Sequence, residues 1–335
     1  MELGYKLSSE EFGPVELVEY ARRAESAGFA FALASDHYHP WVDAQGESPF
    51  VWTVLGAIAQ ATTRLRVGTA VTCPTMRVHP AIIAQAAATT AALMPGRFFL
   101  GVGSGENLNE HVVGCGWPAP DVRLGMLEEA IEVIRLLWQG GEQTHRGRYY
   151  TAERARLYTL PEKPPALMVA ASKPGAAELA DRVGDAMINT EVERELVEKF
   201  HGAGGRRKPC YVEMTVCWAR DEKTARKTAH EVWALAALGG RLFTEIAVPS
   251  DFEAALKPIT EEQVAEAIVC GPDAKRHLEK IREAERAGYT HVCVHQVGRD
   301  QEGFFRFYER EVLPEFGARR GPVKARRGAR RAARA

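Results

Sequence analysis

Eight apolar runs of strand length, each followed by a stretch of helical period, predict an α/β chain folded as a (β/α)8 TIM barrel with insertions at its C-terminal mouth. The glycine pattern argues against the rival open sheet. No glycine-rich turn suited to a dinucleotide follows the first run. Gly101-Val102-Gly103-Ser104-Gly105 lacks both the third glycine of such a turn and an acid about 20 residues further on.

The first strand is read over Glu2 to Leu7, and the helix after it runs from Pro14 to Gly28, in the Pro-first, Gly-last order that helix ends favour. Continuous or alternating apolar runs place the next three strands at Phe29 to Ser35, Leu65 to Val71 and Phe98 to Gly103. The clearest helix spans Asp121 to Trp138. Leu124, Leu127, Ile131, Ile134 and Trp138 share one face, and Gly140-Gly141 closes its end. The remaining strands are predicted at Ala166 to Ala171, Asp185 to Thr190, Tyr211 to Trp218 and Thr290 to Gln296. Gly140 to Pro165 and Leu238 to Pro258 are too long for plain connections and are read as segments over the barrel mouth.

Composition bounds the class. The chain has 335 residues, of which 46% are hydrophobic and 26% charged, enough apolar material for one large core. Residues 1–317 are read as a single barrel domain and 318–335 as a basic tail, solvated and disordered, without a catalytic role. From Arg319 on, that tail carries seven Arg and one Lys and no acid. Such a run can touch polyanions, but no specific nucleic-acid partner is expected. No apolar run approaches the roughly 20 residues of a membrane span, and Met1 to Lys6 lacks the layout of a signal peptide, so a soluble cytoplasmic protein is expected. The six cysteines show no CxxC spacing and are read as buried reduced thiols. His37 and His39 stand two apart, but Pro40 ends regular pairing and no third ligand has a telling spacing, so no metal is expected.

The chemistry concentrates at strand ends. Asp36-His37, followed by Pro40-Trp41, leaves the second strand, and Gly103-Ser104-Gly105-Glu106 leaves the fourth, so acid/base groups reach one rim. An imidazole at His37 either exchanges a proton with a substrate hydroxyl or carbonyl, or is tied to a backbone carbonyl as a structural group. Glu106 is either a carboxylate with an unusual pKa or a helix N-terminal acid. Trp41 is a flat wall for a ring or an ordinary rim aromatic. Gly68 to Pro74 ends the third strand with small residues, as a planar ligand or a tight exit requires.

These motifs, with Pro74-Thr75, Asn109-Glu110, His291-Val292-Cys293-Val294-His295 and Asp300-Gln301, resemble the luciferase-like monooxygenase superfamily, and within it the branch of F420-dependent glucose-6-phosphate dehydrogenase. The similarity runs from about Leu3 to Leu313. It implies a barrel that binds the deazaflavin coenzyme F420 at its C-terminal mouth, assembled as a homodimer and acting on a small-molecule substrate. It implies His37 as the catalytic histidine, Glu106 as the acid supporting proton transfer, Trp41 as the brace of a charged intermediate, and Glu10 as a carboxylate facing the substrate. Asp36, Asn109 and the segment containing Ser172, Lys173, Gly175 and Ala176 match coenzyme-binding positions, as does Cys73, which replaces a family threonine. Ala70 and Val71 match the site of a non-proline cis peptide behind the ring.

Two departures from the family pattern concern the substrate. Thr190 and Glu193 match substrate-site positions, yet Glu191-Val192-Glu193 after Thr190 places acid where a family lysine would meet the phosphate, and Val264 to Ile268 offers no arginine where another phosphate contact belongs. A like charge repels a phosphate dianion. The expectation is an F420-dependent oxidoreductase moving hydride between an unphosphorylated alcohol, carbonyl or activated alkene and the deazaflavin, with glucose 6-phosphate a poor substrate. The alternative is an FMN-dependent luciferase-like monooxygenase on the same barrel.

Overall fold

A computed structural model describes residues 1–202, 208–240 and 242–317. Eight parallel strands close into a ring: β1 (Glu2–Leu7), β2 (Phe31–Ala34), β3 (Arg66–Thr69), β4 (Phe98–Val102), β5 (Ala166–Ala170), β6 (Ala186–Asn189), β7 (Cys210–Cys217) and β8 (His291–Gln296). Each pairs with the next in chain order, and β8 pairs back onto β1 with Glu2 opposite His291. The fold is the predicted (β/α)8 barrel. Every predicted strand is present: β1 as read, β7 displaced by one residue towards the N-terminus, and the others shorter by one or two residues at one or both ends. The helix Pro14–Ala27 stops at Gly28, whose φ of 101° suits glycine alone, and the long helix spans Pro120–Leu137.

Strand parity divides the barrel into two layers. Leu3, Tyr5 and Leu7 on β1, Val212, Met214 and Val216 on β7, and Val292 and Val294 on β8 join the large core under the helices. The opposite parity faces inward. At the N-terminal end it is apolar and aromatic, with Phe31, Phe99 and Tyr211 packed beside His291. Gly4 and Gly68 make room for this layer, since a Cβ at either would lie 2.2 or 2.3 Å from the Phe31 or Phe99 ring. Towards the C-terminal end the inward residues are Lys6, Glu213 and His295, all charged or titratable and all well buried.

Both long stretches reach the mouth. The first forms a hairpin, Gln143–Arg146 against Thr151–Ala155, and the Tyr150 hydroxyl next to its turn donates to the Thr75 carbonyl at 2.8 Å on the loop after β3. The second is longer than the sequence suggests. Chain from Glu222 to Ala267 rises over the mouth as several short helices and returns through Val269–Cys270, which pair with Val216–Cys217 at the end of β7.

Five of the six cysteines are buried thiols and Cys115 is exposed, a correction to the uniform expectation. Among the described residues no helix is long and apolar enough to cross a membrane. The basic tail, 318–335, lies outside the described residues.

Candidate active site

Because the strands are parallel and in one ring, every strand exit opens at one end, and the predicted residues sit on those exits. Glu10 follows β1, His37 and Trp41 follow β2, Ala70 to Cys73 follow β3, Glu106 and Asn109 follow β4, and Ser172 to Ala176 follow β5. Thr190 and Glu193 follow β6.

Glu10, His37 and Trp41 form one cluster. His37 Nε2 lies 3.3 Å from Glu10 Oε1, and the His37 ring meets the Trp41 indole edge-on at 4.9 Å between centroids. His37 Nδ1 is 3.1 Å from the His39 carbonyl, so Nδ1 must be the donor there, and a hydrogen bond between Nε2 and Glu10 then needs a further proton on one of the two. The other Glu10 oxygen accepts from Ser35 Oγ at 2.5 Å and Ser8 Oγ at 3.1 Å. Burial by itself would raise the Glu10 carboxyl, but His37, the Lys6 ammonium and the Ser35 hydroxyl outweigh it and hold it below its ordinary value. The contact sets two proton-carrying groups side by side, an arrangement able to take up a proton and give it back.

Trp41 is 9% exposed and packed edge-on by Phe243 and Phe252, each at 5.3 Å between centroids. Those rings come from the excursion after β7, so that segment fixes the indole. Its apolar members pack with Val42 and Leu108 into a cluster separate from the main core.

The second cluster ties the exits of β2, β3 and β4 together. Asp36 accepts from Thr72 Oγ1 at 2.8 Å and from the Arg77 guanidinium at 2.9 Å, and Arg77 also faces Glu110 at 3.6 Å. Asn109 Oδ1 accepts the Tyr38 and His39 amides at 2.8 and 3.3 Å, while its amide nitrogen donates to Glu106 at 3.4 Å. Glu106 stands at the N-terminus of the turn Asn107–Glu110, and its side chain makes no cap bond there. Burial pushes Glu110 up to about 7, a rise that the Arg77 amide and guanidinium oppose and that Glu106 and Asp36 reinforce. Cys73 is buried 3.0 Å from Thr75 Oγ1, and burial pushes its thiol well up, so it is no nucleophile.

The Ala70–Val71 peptide is cis, at the position the sequence marked. It borders a surface kept bare by glycine. A Cβ at Gly103 would lie 2.6 Å from Val71 Cγ2, and one at Gly105, whose φ is 81°, would lie 2.6 Å from Cys73 Sγ. Ser172 and Lys173 precede the helix Pro174–Val183, whose N-terminus has no side-chain cap and lies on the same rim, as an anionic group of a ligand would need. Thr190 is exposed and its amide donates to Asn189 Oδ1, and the Glu193 amide donates to the Tyr289 hydroxyl. Among the described residues no hydrogen bond or ring contact joins Ser172 to Ala176, Thr190 or Glu193 to His37.

Three residues without an assigned role complete the interior. Lys6 donates to Glu213 at 2.7 Å and to the Ala70 carbonyl at 3.2 Å, and His295 lies 2.9 Å from Glu11 and 3.5 Å from Glu213. Their signal in the sequence was a titratable side chain at the inward parity of otherwise apolar strands. Burial would lower His295, but Glu11 and Glu213 prevail and push it up to about 9. A base raised on folding stabilises fully below its unfolded value, near 6.5, and that stability is lost as pH rises through about 9. The window is worth about 3 kcal/mol. Melting temperature is therefore expected to fall between pH 6.5 and 9, and His295→Gln, measured alongside, should flatten that slope.

Among the described residues no group of three or more His, Cys, Asp or Glu is placed to hold a metal ion. A family model described as luciferase-like monooxygenase matches residues 1–291. The F420-dependent glucose-6-phosphate dehydrogenase of Beutenbergia cavernae is 37% identical over 335 residues, covering 96% of this chain and 99% of that one. Among solved structures, an F420-dependent secondary alcohol dehydrogenase in complex with an F420-acetone adduct aligns with a TM-score of 0.86 at 29% identity, over 93% of this chain and 98% of that chain. The coenzyme F420-dependent tetrahydromethanopterin reductase of Methanopyrus kandleri shares the fold, with a TM-score of 0.77 at 22% identity over 94% of this chain and 99% of that chain.

Proposed function

This chain belongs to the luciferase-like monooxygenase family, and from that premise we propose that it is an F420-dependent oxidoreductase acting on an unphosphorylated alcohol, carbonyl or activated alkene. The observation that carries the reading is the His37–Glu10 contact of 3.3 Å beside the Trp41 wall. A hydride carrier leaves one task to the protein at a C–OH or C=O centre, which is to move the oxygen's proton. His37 Nε2 takes that proton from a hydroxyl, and Glu10 steadies the imidazolium so formed. In the opposite direction the imidazolium returns the proton to a carbonyl oxygen.

The mouth suits a flat, anionic coenzyme. Glycines at 103 and 105 keep side chains off the strand-four exit beside the Ala70–Val71 bulge, Cys73 borders the same face, and Asp36 and Asn109 hold the surrounding exits in register. Ser172, Lys173, Gly175 and Ala176 open a helix whose amides and lysine would hold phosphate or carboxylate. When bound there, the deazaflavin supplies a carbon that accepts or donates hydride. Glu106 lies on the same rim and assists proton balance near the ring.

Glu193 argues for an unphosphorylated substrate. It is half-buried at the exit of β6 next to Thr190, and its charge opposes a phosphate dianion. The relatives named for glucose 6-phosphate make this the sharpest point of the reading. Residues 1–317 are the working domain in a cytoplasmic homodimer, and the tail is dispensable.

The test is absorbance of deazaflavin mixed with the protein and a panel of secondary alcohols, ketones and glucose 6-phosphate. Bleaching with alcohols or recovery with ketones, and little response to glucose 6-phosphate, is the expected result. Glu193→Lys should raise the glucose 6-phosphate response. Retention of FMN with oxygen uptake would overturn the reading in favour of a monooxygenase.

A further inference from the structure

The main chain on either side of His37 is tied to the barrel at few points. Ser35 is held by the Leu7 carbonyl and the Ser9 hydroxyl, and the Tyr38 and His39 amides are held by Asn109. Between them, among the described residues, the main chain of Asp36 and His37 makes one hydrogen bond, accepted by the Asp36 carbonyl from Arg77 Nη2 at 3.2 Å. That carbonyl belongs to the peptide leading into His37, so its direction sets the plane from which the imidazole departs. The same nitrogen donates to Asp36 Oδ1 at 2.9 Å, and Thr72 Oγ1 donates to Oδ2 at 2.8 Å. Arg77 is itself anchored, because its amide donates to Glu110 Oε2 at 2.8 Å and its Nε faces Glu110 Oε1 at 3.6 Å. Arg77 lies on the loop after β3 and Glu110 ends the turn after β4, so three strand exits meet at one guanidinium. The side chains of Arg77, Asp36 and Glu110 are 9, 3 and 1% exposed. Buried ion pairs recover little more than their desolvation cost, so stability alone is a poor reason for a charged junction here.

We propose that Arg77 is a positioning residue for the proton transfer: by gripping the Asp36–His37 peptide and the Asp36 carboxylate from the neighbouring loop, it sets where His37 stands opposite Glu10. The inference rests on the His37–Glu10 reading above and supplies that pair with its main-chain anchor. The contacts of the ring itself do not fix its place in the barrel. His39 and Trp41 belong to the same loop as His37 and travel with it, and Glu10 is the group whose distance is to be set. Asn109 secures the amides just beyond His37, and Arg77 secures the peptide just before it. Without the guanidinium, Thr72 still holds one carboxylate oxygen of Asp36, but nothing described holds the carbonyl.

The decisive measurement needs neither coenzyme nor substrate. Asp36–His37 is the only Asp-His pair in the sequence, so the full chain made with carbonyl-13C Asp and 15N His gives one carbonyl-to-amide NMR signal, from the peptide in question. Loss of the hydrogen bond in Arg77→Met is expected to move that signal upfield in carbon. In the loaded enzyme kcat should fall by about 10²-fold, the cost of misplacing a reacting group by about 1 Å, with KM near its wild-type value. Because Arg77→Met leaves two buried carboxylates without their cation and can impair folding, both quantities are also measured in Arg77→Met combined with Glu110→Gln, where the same changes should appear. Arg97→Met is the matched control. Arg97 likewise grips main chain and side chain, donating to Thr62 Oγ1, the Leu65 carbonyl and the Thr62 carbonyl at 3.0, 3.1 and 3.3 Å, but it precedes β4 at the other end of the barrel. It should lower the melting temperature and leave the signal and kcat in place. A signal unmoved in both Arg77 variants, a moved signal with wild-type turnover, or a signal moved as far by Arg97→Met overturns the proposal. A moved signal confined to the Arg77 variants of a protein that binds no deazaflavin would uphold the anchoring and sink the proposed function instead.

Discussion

His37→Ala is expected to lower turnover by about 10²- to 10⁴-fold, the usual worth of a placed general acid/base, while leaving deazaflavin affinity and melting temperature near their starting values. Each half of that expectation has its own geometric basis. The ring is held at three places: Nδ1 by the His39 carbonyl, the ring itself by its edge-on contact with Trp41, and Nε2 by Glu10. Only the last is a contact between titratable side chains, so removing the ring deletes the proton-transfer route. Little of the fold depends on it, because His37 sits on the loop beyond β2 and contributes nothing to the barrel ladder. Its neighbours are retained by other partners, Glu10 by Ser8 and Ser35, Trp41 by Phe243, Phe252 and the Gln45 side chain, which accepts its amide at 2.8 Å. Stopped-flow hydride transfer and fluorescence titration of the coenzyme separate the two quantities. A variant that keeps wild-type turnover would remove His37 from the chemistry and leave Glu10 or Glu106 to move the proton.

Gly101→Ala should produce the largest loss of stability of any single methyl added to this barrel. The Cβ would stand 1.9 Å from the Thr69 carbonyl oxygen and 3.0 Å from Met168 Cε, and the first of these is backbone in the neighbouring strand. Thr69 also receives Gly101 closely through its side chain, donating to the Gly101 carbonyl at 2.7 Å and accepting its amide at 3.1 Å. The clash cannot be relieved by a rotamer. It must spread β3 from β4 just before the Ala70–Val71 peptide, at a cost of about 3 kcal/mol or more. Loss of soluble protein, or a melting temperature lower by many degrees, is the outcome to look for. Gly56→Ala is the matched control. Gly56 lies inside the helix Val51–Ala61 with nothing within 4 Å of an added Cβ, so alanine there should gain about 0.5–1 kcal/mol. Equal stability of the two variants would show that β3 and β4 are not packed as closely as described.

Burial and periodicity made most of the architecture legible beforehand. All eight strands and both well-patterned helices lie where apolar runs, Pro14 and the Gly28 stop put them, because those signals are local: a residue's parity and its backbone freedom are properties of a short window. The excursion Glu222–Ala267 was legible only in its middle, since its short helices bury one narrow face against Trp41 and Leu108 rather than against the barrel. Among site residues, His37, Trp41 and Glu106 could be singled out because each comes soon after a strand run, while Asn109 came only with the family resemblance. The company they keep could not.

What the sequence by itself determined is the closed ring of strands and the assignment of polar motifs to one end of it, both consequences of repeated local patterns. Tertiary structure alone decided which of those groups meet. Glu10 faces His37 across 27 residues, Lys6 reaches Glu213 across more than 200, and His295 finds Glu11 only because β8 closes against β1. Contacts of that kind depend on the register of strands far apart in the chain and on which side of each strand points inward at the mouth, and no local pattern carries the first of these.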